Sequence, residues 1–227
     1  MRAPGVSAPA SAASDPYAPP HGPLRIVHRD TSLCLVEKPP GLLSVPGKGA
    51  GGEVCLHTRL VSEDPSILLV HRLDRDTSGL MVFARTKAAQ RHLGLQFEKR
   101  HVEKRYVAWV AGEMGAETGV IDLPLRADWP NRPRQMVCHA QGKPAETAWH
   151  VRERRAGATR VALMPRTGRS HQLRVHMAAL GHPILGDPLY GPDAGHGAVR
   201  LMLHAEGLSL RHPEGGAPCA FEVQAAF

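Results

Sequence analysis

The chain is 227 residues long, enough for one generous domain or two small ones, and a chain of this size buries roughly 70% of its unfolded surface without disulfide or metal staples. Hydrophobic residues at 42% and charged residues at 22% are ordinary for a globular fold, and no run approaches the ~18 apolar residues of a membrane helix; a wholly disordered chain and a spanning one are both excluded. Lys and Arg number 28 against 21 Asp and Glu, a net +7, and Arg outnumbers Lys 22 to 6, which suits a polyanionic partner because guanidinium forks onto phosphate and stacks on bases.

Residues 1–23 are rich in Ala, Pro, Ser and Gly and lack the apolar core of a secretory signal, so they read as a disordered lead-in to a cytoplasmic protein. Arg25 to Val27 and Leu33 to Val36 predict two strands around a turn at Arg29 to Ser32, stopped by Pro39 and Pro40. The glycines from Gly47 to Gly52 predict a loop without the spacing of a phosphate-binding P-loop. Ile67 to Val70 and Leu80 to Ala84 are continuous apolar runs expected to be strands covered on both faces. Thr86 predicts the cap of a helix from Lys87 to about Lys99 with Ala89, Leu93 and Phe97 inward. Strands follow at Lys104 to Ala111, Val120 to Leu125, Ala145 to Val151 and Thr159 to Met164, with a loop over Asp128 to Arg134. Ser170 is the expected cap of a second helix with Leu173, Met177 and Leu180 buried, ended by Gly181 and Pro183. Closing strands are expected at Leu201 to Leu203 plus Gly207 to Leu210, and at Ala220 to Val223. The pattern is α+β: a mixed, mainly antiparallel β-sheet core with flanking helices and loops.

The four cysteines, Cys34, Cys55, Cys138 and Cys219, have neither zinc-knuckle nor redox-dithiol spacing. Between the two apolar runs, His71-Arg72-Leu73-Asp74-Arg75-Asp76-Thr77-Ser78-Gly79 offers a carboxylate, Asp74, flanked by two arginines that favour its ionised form. Asp76, beside the Thr77-Ser78-Gly79 turn, reads as a turn cap. On the second helix, His171 and His176 stand about 140° apart around the axis and cannot share a metal, whereas His171 and Arg174 share a face that can meet Asp74. Tyr106, beside Lys104 and Arg105, can stack on a base, and Trp129, beside Arg132 and Arg134, can stack or approach phosphate.

His71-Arg72-Leu73-Asp74 followed by Thr77-Ser78-Gly79-Leu80 resembles the catalytic motif of the RluA family of RNA pseudouridine synthases. Glu37 to Gly47, Lys104 to Val107, Thr167 to His176, Gly186 to Gly191 and Leu203 to Ala205 follow in the family's order, so the resemblance covers the chain from about Leu24 onward. Asp128 to Pro133 and Gly142 to Ala145 look like the family's short branch, which acts on 23S rRNA and tRNA and carries no S4-like domain. Residues 24–227 are then expected to be a pseudouridine synthase catalytic domain, with the Ala194 to Ala198 stretch as a departure from the family's pattern. The resemblance implies that Asp74 is the catalytic aspartate, Arg174 its salt-bridge partner, Tyr106 the ring that packs on the target uracil, with a phenol that could take the C5 proton, and Arg72 the side chain that fills the vacated stack. With Arg72 it implies Arg75, His71, Arg132, Arg134, Arg169 and His171 as RNA contacts. The substrate is structured RNA, no cofactor or metal is implied, and a monomer is the default. Two other readings stay open: a catalytically idle RNA-binding or ribosome-assembly protein, which would release no tritium from uracil-labelled RNA, and a histidine metal nuclease, which a chelator would silence.

Overall fold

The computed structural model describes residues 17–191 and 198–227. Among the described residues the fold is one ten-stranded sheet with a small hairpin and three helices around it. β1 (Arg25–Arg29) and β2 (Leu33–Lys38) form the first hairpin, whose turn is fixed by the Asp30 carboxylate accepting from the Ser32 and Leu33 amides. α1 (Leu56–Glu63) follows, capped by Cys55 in place of the usual hydroxyl or carboxylate, with Leu56 and Leu60 inward. β3 (Leu68–Leu69) is short, and β4 (Ser78–Ala84) is buried along its whole length, as a central strand must be. α2 (Lys87–Glu98) begins at Thr86, whose side chain accepts from the Ala89 amide at 3.1 Å.

β5 (Glu103–Ala111) leads to β6 (Thr118–Asp122) and then to the separate two-stranded hairpin of β7 (Leu125–Ala127) and β8 (Gln135–Val137), with a 3-10 turn over Trp129–Asn131 at its tip. β9 (Glu146–Arg155) and β10 (Ala158–Pro165) form a long hairpin, α3 (Gln172–Ala179) crosses behind it, and β11 (Leu203–Arg211) and β12 (Pro218–Glu222) close the chain. The main path runs β1-β2-β4-β11-β5-β10-β9-β6, with β3 on β4 and β12 on β11. β11 on β4 is the parallel pair among otherwise antiparallel neighbours, so the mixed, mainly antiparallel α+β architecture expected from the pattern is present.

Gly79 makes that parallel junction possible: at φ +115° a side chain there would sit 2.2 Å from the Ala205 carbonyl oxygen. The apolar interior lies in three main blocks. One packs α2 on β2 and β4, one packs α1 beneath the same strands, and one fills the space between β5, β10 and α3.

Several local expectations change. The lead-in is packed at its end, because the Tyr17 hydroxyl donates to the Val54 carbonyl and accepts from the Leu43 amide, and Arg59 holds the Pro20 and Gly22 carbonyls. Ser170 does not cap α3; His171 stands at that position in the left-handed region with no side-chain cap bond, and Leu180, past the helix end, is exposed. The strand expected over Val120 to Leu125 is two strands turning at Leu123 and Pro124. The separate pieces at Leu201 to Leu203 and Gly207 to Leu210 are one strand from Leu203. Residues 194–197 of the Ala194 to Ala198 stretch lie outside the described residues.

Candidate active site

Asp74 sits in the loop between β3 and β4, and the residues on either side of it are pinned by buried groups from the Glu37 to Gly47 segment. Before it, the Ser44 hydroxyl donates to the Leu73 carbonyl at 2.7 Å and accepts from the Leu73 amide at 3.1 Å. After it, the fully buried Lys38 amine donates to the Arg75 carbonyl at 2.7 Å, and to Leu42 and Pro39 carbonyls at 2.7 and 2.9 Å. Three carbonyls match the three N–H groups of an ammonium, while burial, opposed by Asp76 and Asp74, pushes the amine down to about 7. The backbone of Asp74, held on both sides by these clamps, fixes where its side chain starts.

The side chains that reach Asp74 come from the far side of a cavity of about 510 Å³, a volume within the range of small-ligand sites. Arg174 Nη1 lies 3.6 Å and His171 Nε2 3.9 Å from Asp74 Oδ2. Arg174 is itself held elsewhere: its Nε and Nη2 donate to Asp187 Oδ2 and Oδ1, both at 2.7 Å. Burial lowers the guanidinium, but the Asp187 hydrogen bonds and charge, with Asp74, more than offset it and raise it above its ordinary value. The Asp187 side chain is fully buried and also accepts from the Leu189 and Tyr190 amides. Gly186 permits this loop, since at φ +69° a side chain there would meet the Arg200 carbonyl oxygen at 1.9 Å. Arg174 therefore has a closer and better matched partner in Asp187 than in Asp74.

Tyr106 on β5 lines the same cavity. Its hydroxyl makes no hydrogen bond with a described residue, and burial, with the Asp74 charge, pushes the phenol above its ordinary value. The ring thus keeps its proton at neutral pH, and taking the C5 hydrogen would require passing the phenolic proton on in the same step. His171 is pushed down by burial and by Arg174 against the pull of Asp74, which favours the neutral ring.

The remaining expected residues divide. Arg72 and Arg169 line the cavity, and Arg72 projects to solvent. Arg75 pairs with Asp76 at 2.8 Å; Asp76 has that partner and no turn-capping hydrogen bond among the described residues. The ion-pair partner of Arg75 is thus its other neighbour, Asp76, and the turn-capping role expected of Asp76 is not what its carboxylate does. His71 is at the cavity wall but commits Nε2 to accepting from the Val82 amide at 3.0 Å and stacks on Phe97; burial and Lys104 push it down to about 4. That bond ties the start of the loop, just after β3, to the middle of β4. His176 is buried between Thr147 and the Leu123 carbonyl. Arg132 stacks on the exposed Trp129 at 4.1 Å, and Arg134 lies over the Tyr190 ring at 5.3 Å, both on the β7–β8 hairpin outside the cavity wall. Lys38, Ser44, Asp187 and Tyr190 have no role in the sequence reading, although each lies in a motif that carried the resemblance.

The RNA pseudouridylate synthase family model matches residues 32–179, which include Asp74, Tyr106, His171 and Arg174. The chain belongs to the RNA pseudouridylate synthase family. The dual-specificity RNA pseudouridine synthase RluA of Escherichia coli is 51% identical over 214 residues, covering 93% of this chain and 98% of its own. RluA of Yersinia pestis is 50% identical over 204 residues, covering 89% and 99%. Human RNA pseudouridylate synthase domain containing 1 superposes with a TM-score of 0.77 at 32% identity, covering 92% of this chain and 87% of that one. No helix among the described residues of this family member is long and apolar enough to cross a membrane.

Proposed function

We propose that this RNA pseudouridine synthase isomerises particular uridines in 23S rRNA and in the tRNA anticodon stem-loop, with Asp74 as its catalytic carboxylate, acting as a cytoplasmic monomer whose catalytic domain spans residues 24–227. The observation that carries the assignment is the convergence of Asp74, Arg174 and Tyr106 on one cavity from three distant parts of the chain. The dual specificity of the RluA relatives supports the choice of RNAs.

Uridine and pseudouridine are isomers. The N1–C1′ bond breaks, uracil turns, C5 bonds to C1′, and the C5 hydrogen is replaced by one on N1, with no change of oxidation state. A uracil stacked in RNA hides C1′, so the nucleotide must flip out at a cost of a few kcal/mol. Arg72, projecting at the cavity rim, takes the vacated place in the stack. The flipped uracil packs on Tyr106 and presents C1′ to Asp74, whose flanking residues are clamped by Ser44 and Lys38. The Arg174 guanidinium supplies positive charge beside the carboxylate in a site that excludes water once RNA is seated. Arg132, Arg134 and Arg169 supply phosphate contacts that carry no sequence information.

Asp74→Asn is expected to bind tRNA and 23S rRNA fragments as wild type does and to release no tritium from RNA labelled at uracil C5. Full turnover by that variant would remove Asp74 from the mechanism.

A further inference from the structure

One tyrosine joins the exposed hairpin to the buried site. The Tyr190 hydroxyl accepts from the Gln135 amide at 2.7 Å, at the start of β8, and lies 2.8 Å from His171 Nδ1. Arg134, on the hairpin, lies over the Tyr190 ring at 5.3 Å, and Arg174 lies 5.2 Å from the same ring. The Tyr190 amide donates to Asp187, the carboxylate that grips Arg174.

The hydrogen-bond inventory favours one arrangement of protons. A phenol has one hydrogen and two lone pairs, and the Gln135 amide occupies a lone pair. His171 Nδ1 is the acceptor within reach of the phenolic hydrogen among the described residues; with that hydrogen donated to it, a neutral imidazole carries its own on Nε2. That nitrogen faces Asp74 Oδ2 at 3.9 Å, just beyond a hydrogen bond. His171 is also one of two non-glycine residues with positive φ among the described residues, at φ 53° and ψ 18°. Such a conformation persists where the surroundings over-determine it, and here the helix start and the tyrosine both do so.

We propose that Tyr190 is a positioning residue that couples the β7–β8 hairpin to the catalytic carboxylate: RNA seated on Arg132 and Arg134 sets Tyr190, and Tyr190 holds His171 with its Nε2–H aimed at Asp74. This rests on the reading of the site as a uridine isomerase. Tyr190→Phe removes the hydroxyl and keeps the ring under Arg134 and Arg174. Its single-turnover rate at saturating tRNA is expected to fall about tenfold, as for loss of one hydrogen bond that orients a reacting group, with RNA Kd within twofold of wild type. Tyr190→Phe/His171→Gln is expected to be no slower than His171→Gln alone, since both act through one contact. Nitrogen NMR of the unliganded protein is expected to show His171 as the Nε2–H tautomer, and Tyr190→Phe to lose that preference. A wild-type rate for Tyr190→Phe, multiplicative effects in the double variant, or an Nδ1–H tautomer in the wild type would each overturn the coupling. The tautomer needs no turnover, so it tests the inference even if the wild-type protein makes no pseudouridine, which would instead overturn the functional reading.

Discussion

Replacing Asp187 by Asn distinguishes the two carboxylates that face Arg174. The Arg174 side chain is 3% exposed, Asp187 is fully buried, and Asp74 is 30% exposed. Asp187 accepts four hydrogen bonds, two of them charge-assisted at 2.7 Å. An Asn in its place keeps one oxygen, best left toward Arg174 Nη2 and the Leu189 and Tyr190 amides, and turns an NH₂ group toward Arg174 Nε. One charge-assisted bond, about 1.5–3 kcal/mol, is then replaced by two opposed donors. A buried guanidinium also loses its nearest anion, a change that typically costs about 3–5 kcal/mol when one partner is removed. Asp74 at 3.6 Å offsets part of this, so we expect about 3 kcal/mol, a fall in Tm of about 6–12 °C for a domain of this size. Asp74→Asn, which removes a longer and more exposed contact, is expected to cost under ~1 kcal/mol. Urea unfolding of both variants at neutral pH measures the contrast. Equal losses, or a larger loss for Asp74→Asn, would show that Arg174 is not anchored by Asp187 and would refute the division of labour drawn here.

Two further expectations concern His71 and the β7–β8 hairpin. His71 has its folded pKa lowered to about 4 by burial and Lys104, against about 6.5 in the unfolded chain, so between these values the unfolded state binds more protons. Stability should therefore rise with pH through this window and fall on acidification, by up to about 3 kcal/mol from this group; His71→Gln, which keeps an acceptor for the Val82 amide, should lower the proton uptake on urea unfolding near pH 5 by about one, and an unchanged pH slope would count against it. Arg132→Ala removes a cation stacked on the exposed Trp129; RNA affinity should fall by a similar factor for all sequences and the slope of log K against log salt should decrease by about one, whereas a sequence-selective loss would point to base reading.

What could be read in the chain depended on the range over which each interaction acts. β4 declares itself by an uninterrupted apolar run, and α2 by a hydroxyl cap with Ala89 and Leu93 inward, because both signals lie within a few residues. α1 escapes notice because its cap is a cysteine and its buried face is two leucines in a polar segment. β8 is three residues long, follows two prolines, and exists because β7 is there to pair with it. The same limit applies to the site. Asp74, Tyr106 and Arg174 stand out by residue type within motifs, yet nothing local shows that Arg174 turns chiefly to a carboxylate 13 residues further on. Nor does it show that Arg75 gives its charge to Asp76. Adjacent residues suggested arginines on either side of Asp74; the fold adds backbone clamps on its loop from Ser44 and Lys38 and a cation from α3. Rigid placement of a charged group needs partners that cannot follow its own loop, and such partners come from elsewhere in the chain. The motifs at Glu37 to Gly47 and Gly186 to Gly191 therefore belong to the same machine as the aspartate, although neither contains a residue that must touch the uridine.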